Sequence, residues 1–372
     1  MNQRNCKTLR TNRVYLIIFI VWLGFIYNVC GSDIVTPQSM INNSINEDKP
    51  VLNVYTWVDF IDPEIFSDFE KEFHVKVHID YYDDEELMFS TVQSGPGQYD
   101  VIFPSDSLTD VMLKSGLLSK LNMRSIPNIR YLRDKFRVIA KRKWMGYSIP
   151  IDWGVTGIAY NTKYVTESVN SWDTFWRTKY KDKMALLDNS YDVMSVGQKR
   201  LGYSLNPANP SDIIESMKVL KALKPLLQEE GFMPYSKIME RLKTEELWIA
   251  ECYNGDAALV NEANDAIKFV IPKEGTGFWT DNIAVPVGAK QIQLAENFIN
   301  FMLRPEISAR HTNYCYYASC NKKAGLFVKK ETLRNPYVYI DKKEIDRLEL
   351  YEILNPDVQK KFNECWAELV KY

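Results

Sequence analysis

The 372-residue sequence contains few histidines and no excess of basic residues. Only three histidines occur, so neither a histidine-rich metal centre nor a Ser-His-Asp hydrolase is favoured. Lysine and arginine number 46 against 48 acidic residues, which gives a formal net charge of −2. Because a general nucleic-acid-binding protein normally carries a basic excess, no nucleic-acid partner is expected.

One long apolar run, from Val14 to Val29, lies close to the amino terminus. Basic residues without any acid precede it, and Cys30, Gly31 and Ser32 follow it. This order is typical of a signal peptide, which has a basic segment, then an apolar segment too short to span a membrane comfortably, and then small residues at the cleavage site. An uncleaved anchor is an alternative, and Cys30 resembles the lipidated cysteine of bacterial lipoproteins.

All three interpretations of the amino terminus place the rest of the chain outside the cytoplasm. We therefore predict a leader over residues 1–30, with Cys30 as the lipidation site, and a polar tether over residues 31–50. The expected localisation is periplasmic or extracytoplasmic, with attachment to the membrane through the leader or a lipid.

Four cysteines lie beyond the leader: Cys252, Cys315, Cys320 and Cys365. An even number in an oxidising compartment permits disulfides, and Cys315 and Cys320 are close enough in sequence to form a local bridge. Buried free thiols are an equally open alternative. The spacing is not that of a zinc site, so no metal is expected.

Strand and helix patterns alternate from Val51 onward. Residues 52–57 alternate as a strand, Asp62-Pro63-Glu64 is typical of a helix start, and residues 75–81 alternate as the next strand. This order predicts an α/β fold with an open sheet. Ligands of such sheets bind at the carboxyl ends of the strands, beside helix starts.

Aromatic and acidic residues recur at these predicted junctions between strand and helix, and aromatics make up 13% of the sequence. Carboxylates beside ring faces suit a small organic cation, since the carboxylate supplies charge and the ring accepts methylene and N–H groups. Taken singly, each such acid could instead be a helix cap, and each ring a core residue. The candidates for ligand binding are Trp57, Asp59, Phe60, Ser105, Asp192, Tyr253, Asp256, Trp279, Asp281, Tyr317 and Glu352.

An ordered set of motifs resembles the bacterial spermidine/putrescine-binding proteins, the extracytoplasmic receptors of polyamine ABC importers. The motifs include residues 54–63 (VYTWVDFIDP), 99–105 (YDVIFPS), 147–154 (YSIPIDWG) and 272–281 (PKEGTGFWTD). The resemblance covers about residues 51–372. It implies a receptor that binds putrescine or spermidine without a cofactor, catalyses no reaction, and has an ABC permease and an ATPase as partners.

The resemblance also implies a two-lobed periplasmic-binding-protein fold of type II with a hinged ligand cleft. One lobe is expected to take residues 51–156 and 281–326. The other is expected to take residues 157–280 and 327–372.

Site roles are carried over from the family position by position. Trp57 matches a ring that stacks on the polyamine and Asp59 an acid just after it, while Phe60 stands where a tyrosine is usual. Ser105, Tyr317 and the Trp279–Asp281 pair match pocket positions, and Asp192 matches an amine-binding acid. Four positions depart from the pattern or distinguish members: Asn189 replaces a carboxylate, Tyr253 replaces a tryptophan, Asp256 matches an acid of putrescine-preferring members, and Glu352 stands where glutamine is common.

Two other functions are compatible with parts of the sequence. A ferric-ion receptor of the same fold would use paired tyrosines, for which Tyr316 and Tyr317 are the candidates. A carboxylate-based hydrolase would use two of the acids Asp192, Asp256 and Asp281. The tryptophans Trp57 and Trp279 would have no role at an iron site, so the polyamine receptor remains the favoured hypothesis.

Overall fold

A mixed β-sheet of eleven strands runs through the described part of the chain, which in this computed structural model comprises residues 49–144, 146–345 and 347–371. The strands are β1 (Val51–Trp57), β2 (Lys76–Tyr82), β3 (Val101–Ile102), β4 (Ser148–Asn161), β5 (Met184–Leu187), β6 (Phe232–Met233), β7 (Ile249–Tyr253), β8 (Ile267–Val270), β9 (Thr276–Ala284), β10 (Ala318–Ser319) and β11 (Leu348–Leu350). The predicted leader, Cys30 and most of the tether lie outside these residues.

Helices cover the sheet. They are α1 (Pro63–Phe73), α2 (Glu85–Ser94), α3 (Asp106–Lys114), α4 (Asp134–Lys143), α5 (Ser190–Arg200), α6 (Pro210–Leu223), α7 (Tyr235–Lys243), α8 (Asn254–Ala263), α9 (Ile292–Met302), α10 (Pro305–Cys315), α11 (Lys330–Arg334), α12 (Lys342–Ile345) and α13 (Pro356–Lys371). Short 3-10 helices occur at Pro127–Tyr131, Trp172–Trp176, Thr178–Tyr180, Lys224–Leu226 and Ala324–Leu326.

The strand order is β2-β1-β3-β9-β4-β7-β5-β6. Parallel pairs lie at both ends of this order, β1 with β2 and β3 at one end and β5 with β6 and β7 at the other. The long strands β9 and β4 pair antiparallel between them. We call the two ends the β1 side and the β5 side. The predicted α/β architecture is confirmed.

Each side has its own apolar core. On the β1 side, Leu52, Val54 and Phe69 pack with Phe298 from α9. On the β5 side, residues of β5, α5 and α6 pack with Phe362 of α13, which comes from the carboxyl-terminal end of the chain. Burial of these side chains is the main stabilising contribution, at roughly 25 cal/mol per Å² of apolar surface.

Three helix starts carry polar side chains as caps, and the sequence predicts the one at Asp62. The carboxylate of Asp62 accepts a hydrogen bond from the backbone N–H of Glu64, at 2.9 Å. Ser105 caps α3 in the same manner, and Asn189 caps α5. Such caps satisfy backbone N–H groups that have no partner within the helix, typically stabilising it by about 1 kcal/mol.

One predicted strand is shorter than expected. The sequence predicts a strand over residues 99–104, whereas β3 spans only Val101–Ile102. At the start of this segment, the buried carboxylate of Asp100 accepts hydrogen bonds from the backbone N–H groups of Asn53 and Lys290. Hydrogen bonds to this carboxylate therefore replace part of the backbone hydrogen bonding between strands at this point.

The four cysteines beyond the leader are buried free thiols. Of the two alternatives that the sequence leaves open, the structure shows free thiols and not a Cys315–Cys320 bridge. Among the described helices, none has both the length and the apolar character required to cross a membrane.

Candidate ligand-binding cleft

A cleft of about 920 Å³ lies between the β1 side and the β5 side, where strand ends and helix starts meet. Twelve of its lining residues carry carboxylates, and two are lysines. Aromatic side chains from both sides form much of the remaining wall. The size is within the usual range for small-molecule sites, and the excess of acids favours a cation.

Ten of the eleven candidate residues line this cleft. They are Trp57, Asp59, Phe60, Ser105, Asp192, Tyr253, Asp256, Trp279, Asp281 and Tyr317. Strand topology explains the convergence, because β1, β3, β5 and β7 end beside the cleft and the middle of β9 carries Trp279 and Asp281. Assignment of ligand contacts to these residues remains a prediction.

Asp281 lies at the base of the cleft and is 7% exposed. In the antiparallel pairing of β9 with β4 it lies opposite Asp152, so two carboxyl groups share one face of the sheet. Burial raises the pKa of Asp281 well above its usual value, and the neighbouring carboxylates Asp152 and Glu85 raise it further. A positive group in the cleft would stabilise the ionised form of Asp281.

The ring of Trp279 forms a wall of the cleft between two tyrosines. Its centroid lies 5.3 Å from that of Tyr253 and 5.0 Å from that of Tyr317, both edge-on. Two glycines permit this packing, since a Cβ atom at Gly154 would lie 2.4 Å from the Trp279 ring and one at Gly255 would lie 2.4 Å from the Tyr317 ring. Trp279 Nε1 is buried and makes no hydrogen bond to the described residues.

Two acids on the β5 side are held by hydroxyl groups. Asp256 accepts a hydrogen bond from the Tyr317 hydroxyl at 2.7 Å, while its Oδ2 is buried without a hydrogen-bond partner among the described residues. Asp192 accepts hydrogen bonds from Thr156 and Tyr253, each at 2.8 Å. Burial raises the pKa of Asp256 to about 7 and that of Asp192 to about 6, against the hydrogen bonds.

The opening of the cleft is bordered by the turn after β1. Trp57 is half-buried, with its ring centroid 4.4 Å from that of Tyr82 and 6.3 Å from that of Tyr235. Asp59 is exposed and has a φ of +53°, which turns the chain sharply and directs it into α1. Phe60 also lines the cleft, and its ring lies edge-on to that of His311, at 4.8 Å.

Glu352 is the one candidate that the structure places outside the cleft. Its carboxylate accepts a hydrogen bond from Arg142 at 2.5 Å, on the outer surface. Tyr351, the preceding residue, lines the cleft instead, and its hydroxyl oxygen is buried. Successive side chains of an extended segment point to opposite faces, so the position one residue earlier faces the cleft.

Several cleft residues were not among the candidates. Glu85 begins α2, Asp106 begins α3, and Tyr235 begins α7 and donates a hydrogen bond to the backbone oxygen of Val58, at 2.9 Å. The sequence does contain a pattern that points to Glu85, because this residue lies in a run of four acids at residues 83–86, close after a predicted strand. Tyr235 follows β6 in the same manner, but β6 has only two residues and no recognisable pattern.

One group of possible metal ligands occurs among the described residues: Asp152, His311 and Cys315, all buried. His311 Nε2 lies 2.5 Å from Asp152 Oδ2, a direct hydrogen bond that already links two of the three groups. The paired tyrosines of the ferric-ion hypothesis do not converge on one point. Tyr317 donates its hydroxyl hydrogen to Asp256, whereas Tyr316 donates to Glu262.

The raised pKa values predict how the stability of the unliganded protein depends on pH. Asp192, Glu85 and Asp256 have folded-state pKa values of about 6, 7 and 7, above the unfolded values near 4. Between these values the folded state binds more protons than the unfolded state, so the free energy of unfolding falls as pH rises from about 4 to about 7.

Urea unfolding at a series of pH values from about 5 to about 8 measures this effect. We expect the urea concentration at the unfolding midpoint to decrease as pH rises. The decrease should be smaller in Glu85→Gln, which cannot ionise at that position. A midpoint that stays constant or rises over this range in the wild type would contradict the expectation.

Comparisons with known proteins show similarity over most of the chain. Residues 64–336 match the model of a family described as bacterial extracellular solute-binding protein. The spermidine/putrescine-binding periplasmic protein of Escherichia coli (strain K12) is 30% identical over 302 residues, which are 80% of this chain and 86% of that protein.

Two solved structures of similar architecture extend the comparison. The spermidine/putrescine ABC transporter substrate-binding protein PotD of Streptococcus pneumoniae superposes with a TM-score of 0.74 at 29% identity, covering 87% of this chain and 99% of that one. The TpPotD lipoprotein of Treponema pallidum gives a TM-score of 0.77 at 25% identity, covering 86% and 99%. These similarities confirm the two-lobed α/β binding-protein fold predicted from the sequence.

Proposed function

Because the chain belongs to the family of bacterial extracellular solute-binding proteins, we propose that it is a polyamine receptor that delivers putrescine or spermidine to an ABC importer. Its partners are then a permease and an ATPase of that importer. Relatives that carry this function in their names are similar over most of the chain.

The observation that carries the proposal is the set of buried carboxylates facing one aromatic cleft. Asp192, Asp256 and Asp281 are 4%, 6% and 7% exposed, and burial raises the pKa of each. Buried acids are costly without a partner of opposite charge, and the cleft supplies few cations. A ligand with two or more ammonium groups and an apolar methylene chain compensates the acids and packs against Trp57 and Trp279.

We further propose that the cleft closes on its ligand by a hinge, with lobes at residues 51–156 plus 281–326 and 157–280 plus 327–372. Bonds across the cleft support this: Tyr235 of the β5 side donates to Val58 of the β1 side, and Tyr317 donates to Asp256. Closure excludes water and strengthens the ion pairs.

Isothermal titration of the protein, freed of bound amines, tests the function. We expect saturable binding of putrescine, spermidine or both, and far weaker binding of butylamine, which has one ammonium group on a four-carbon chain. Ferric citrate and glycosides serve as ligands of the two rival functions. Failure of every polyamine to bind, or tighter binding of ferric ion, would overturn the proposal.

The enzyme hypothesis has less support. The relatives named above are described as binding proteins or a lipoprotein. Asp192 and Asp256 are each engaged by tyrosine hydroxyl groups, an arrangement that fixes an acceptor for a cation. We therefore propose binding without catalysis and without a cofactor.

Lipid attachment at Cys30 is the proposed link to the membrane. Cys30 ends the apolar segment and precedes a polar tether, and one structural relative is a lipoprotein. We expect the mature protein to begin at a diacylated Cys30 and to fractionate with membranes, whereas Cys30→Ser is released in soluble form. Mass spectrometry of the purified amino-terminal peptide decides the matter, since an unmodified Cys30 or cleavage elsewhere contradicts the prediction.

A further inference from the structure

Glu85 is an acid of the cleft that the proposed function has not yet used. It is the first residue of α2, directly after the turn that follows β2. The parallel register pairs Trp57 with Tyr82, so the end of β2 and the start of α2 lie beside the end of β1. Glu85 lines the cleft from the β1 side.

Its partner lies on the β5 side. The Oδ1 atom of Asn189 accepts hydrogen bonds from the backbone N–H groups of Tyr191 and Asp192, at 3.0 and 3.3 Å. This capping role fixes the orientation of the amide, because Oδ1 must face α5 and Nδ2 must face away from it. Nδ2 donates a hydrogen bond to Glu85 Oε2 at 3.2 Å, which joins the two sides of the cleft.

The second carboxylate oxygen of Glu85 has no hydrogen-bond partner among the described residues. This oxygen, Oε1, is buried. The neutral amide of Asn189 satisfies one oxygen but cannot balance the charge. Burial raises the pKa of Glu85 to about 7, the neighbouring polar side chains of Ser105 and Asn189 lower it, and the nearby charge of Asp192 raises it further.

We propose that Glu85 is a ligand-binding residue, whose Oε1 accepts a hydrogen bond from an ammonium group of the ligand while Oε2 keeps its bond to Asn189. This inference rests on the proposed polyamine function and identifies one further acid of the same site. One carboxylate then contacts both the ligand and the opposite side of the cleft, which couples ligand charge to closure.

A purely structural role is the alternative. An acid in the first turn of a helix interacts favourably with the helix dipole, and this requires no ligand. Glu64 lies in the first turn of α1, is exposed and does not line the cleft, so it provides a matched control. Loss of either charge weakens the dipole interaction, whereas only Glu85 has a buried, unpartnered oxygen.

The test is a titration of Glu85→Gln, Glu64→Gln and wild type with putrescine and spermidine. Glutamine at position 85 can still accept the Asn189 hydrogen bond, so the variant removes the charge and little else. We expect Glu85→Gln to bind about tenfold more weakly or worse, and Glu64→Gln to bind within about twofold of wild type. Equal affinity of Glu85→Gln and wild type, or equal losses in both variants, would overturn the inference.

Proton release supplies a second readout that a structural role would not change. Calorimetry at pH 7 in two buffers of different ionisation enthalpy counts the protons released on binding. The wild type is expected to release more protons than Glu85→Gln, because binding of the ammonium group ionises Glu85. If both proteins release the same number of protons, Glu85 does not contact the ligand. If the wild type binds no polyamine at all, the proposed function is refuted instead.

Discussion

Asp281→Ala is expected to weaken polyamine binding by about 3–5 kcal/mol, the largest loss of any single substitution in the cleft. Asp281 lies at the base of the cleft, opposite Asp152, and is almost fully buried. An ammonium group bound there loses its water and depends on the carboxylate for compensation. Without Asp281, the ammonium would be buried without its principal partner.

Titration of the variant at one pH and one salt concentration measures this loss. Asp281→Asn retains the shape and removes the charge, so it should lose nearly as much affinity as alanine. Asp265→Ala removes an exposed acid that does not line the cleft and should bind as wild type does. Binding by Asp281→Ala within about threefold of wild type would show that the ligand lies elsewhere.

Asp281→Asn also separates an effect on ligand binding from an effect on protein stability. Burial and the neighbouring Asp152 carboxylate disfavour the ionised form of Asp281 in the unliganded protein, as its strongly raised pKa indicates. Asp281→Asn should therefore unfold at the same temperature as the unliganded wild type or at a higher one near neutral pH. A loss of affinity with retained stability excludes misfolding as its cause.

Trp57→Ala is expected to cost about 1–3 kcal/mol of polyamine affinity. The indole is half-buried and contacts Tyr82 and Tyr235 at the opening of the cleft. Its face can pack against methylene groups and attract an ammonium group, and alanine removes both contributions. The expected loss is smaller than that of Asp281, because a ring contributes less to a buried cation than a full opposite charge does.

Two variants make the measurement specific. Trp57→Phe retains a ring face, so it should recover part of the affinity that alanine loses. Trp248→Ala removes another half-buried indole, one that stacks on Tyr164 away from the cleft lining, and should leave affinity unchanged. Equal binding by Trp57→Ala and wild type, with Trp57→Phe also unchanged, would exclude ring contact with the ligand.

Local patterns in the sequence were sufficient for the elements that carry the site. The Asp62, Ser105 and Asn189 caps mark helix starts by short-range hydrogen bonds, which depend only on neighbouring residues. Alternation of apolar residues marks strands such as β1 and β2. Because ligands bind at the carboxyl ends of such strands, the acids and rings at those ends could be selected as candidates before any contact was known.

The structure departs from the sequence-based expectation where a side chain's direction depends on distant contacts. Tyr351 and Glu352 are adjacent, but β11 pairs with β9, and this pairing decides which of the two faces the cleft. Glu85 shows the opposite case, an acid in a run that is typical of a solvated surface. One of its carboxylate oxygens accepts a hydrogen bond from Asn189, which is 104 residues away in the chain.

The sequence by itself determined the alternation of strands and helices, the helix caps and the acidic and aromatic character of the strand ends, since these depend on residues within a few positions of one another. Only the tertiary structure decided which acids meet in one cleft, which oxygens remain without partners and which cysteines stay free. Those properties depend on the pairing of β4 with β9 and on the approach of the β1 and β5 sides, where distant segments exclude water from charged groups.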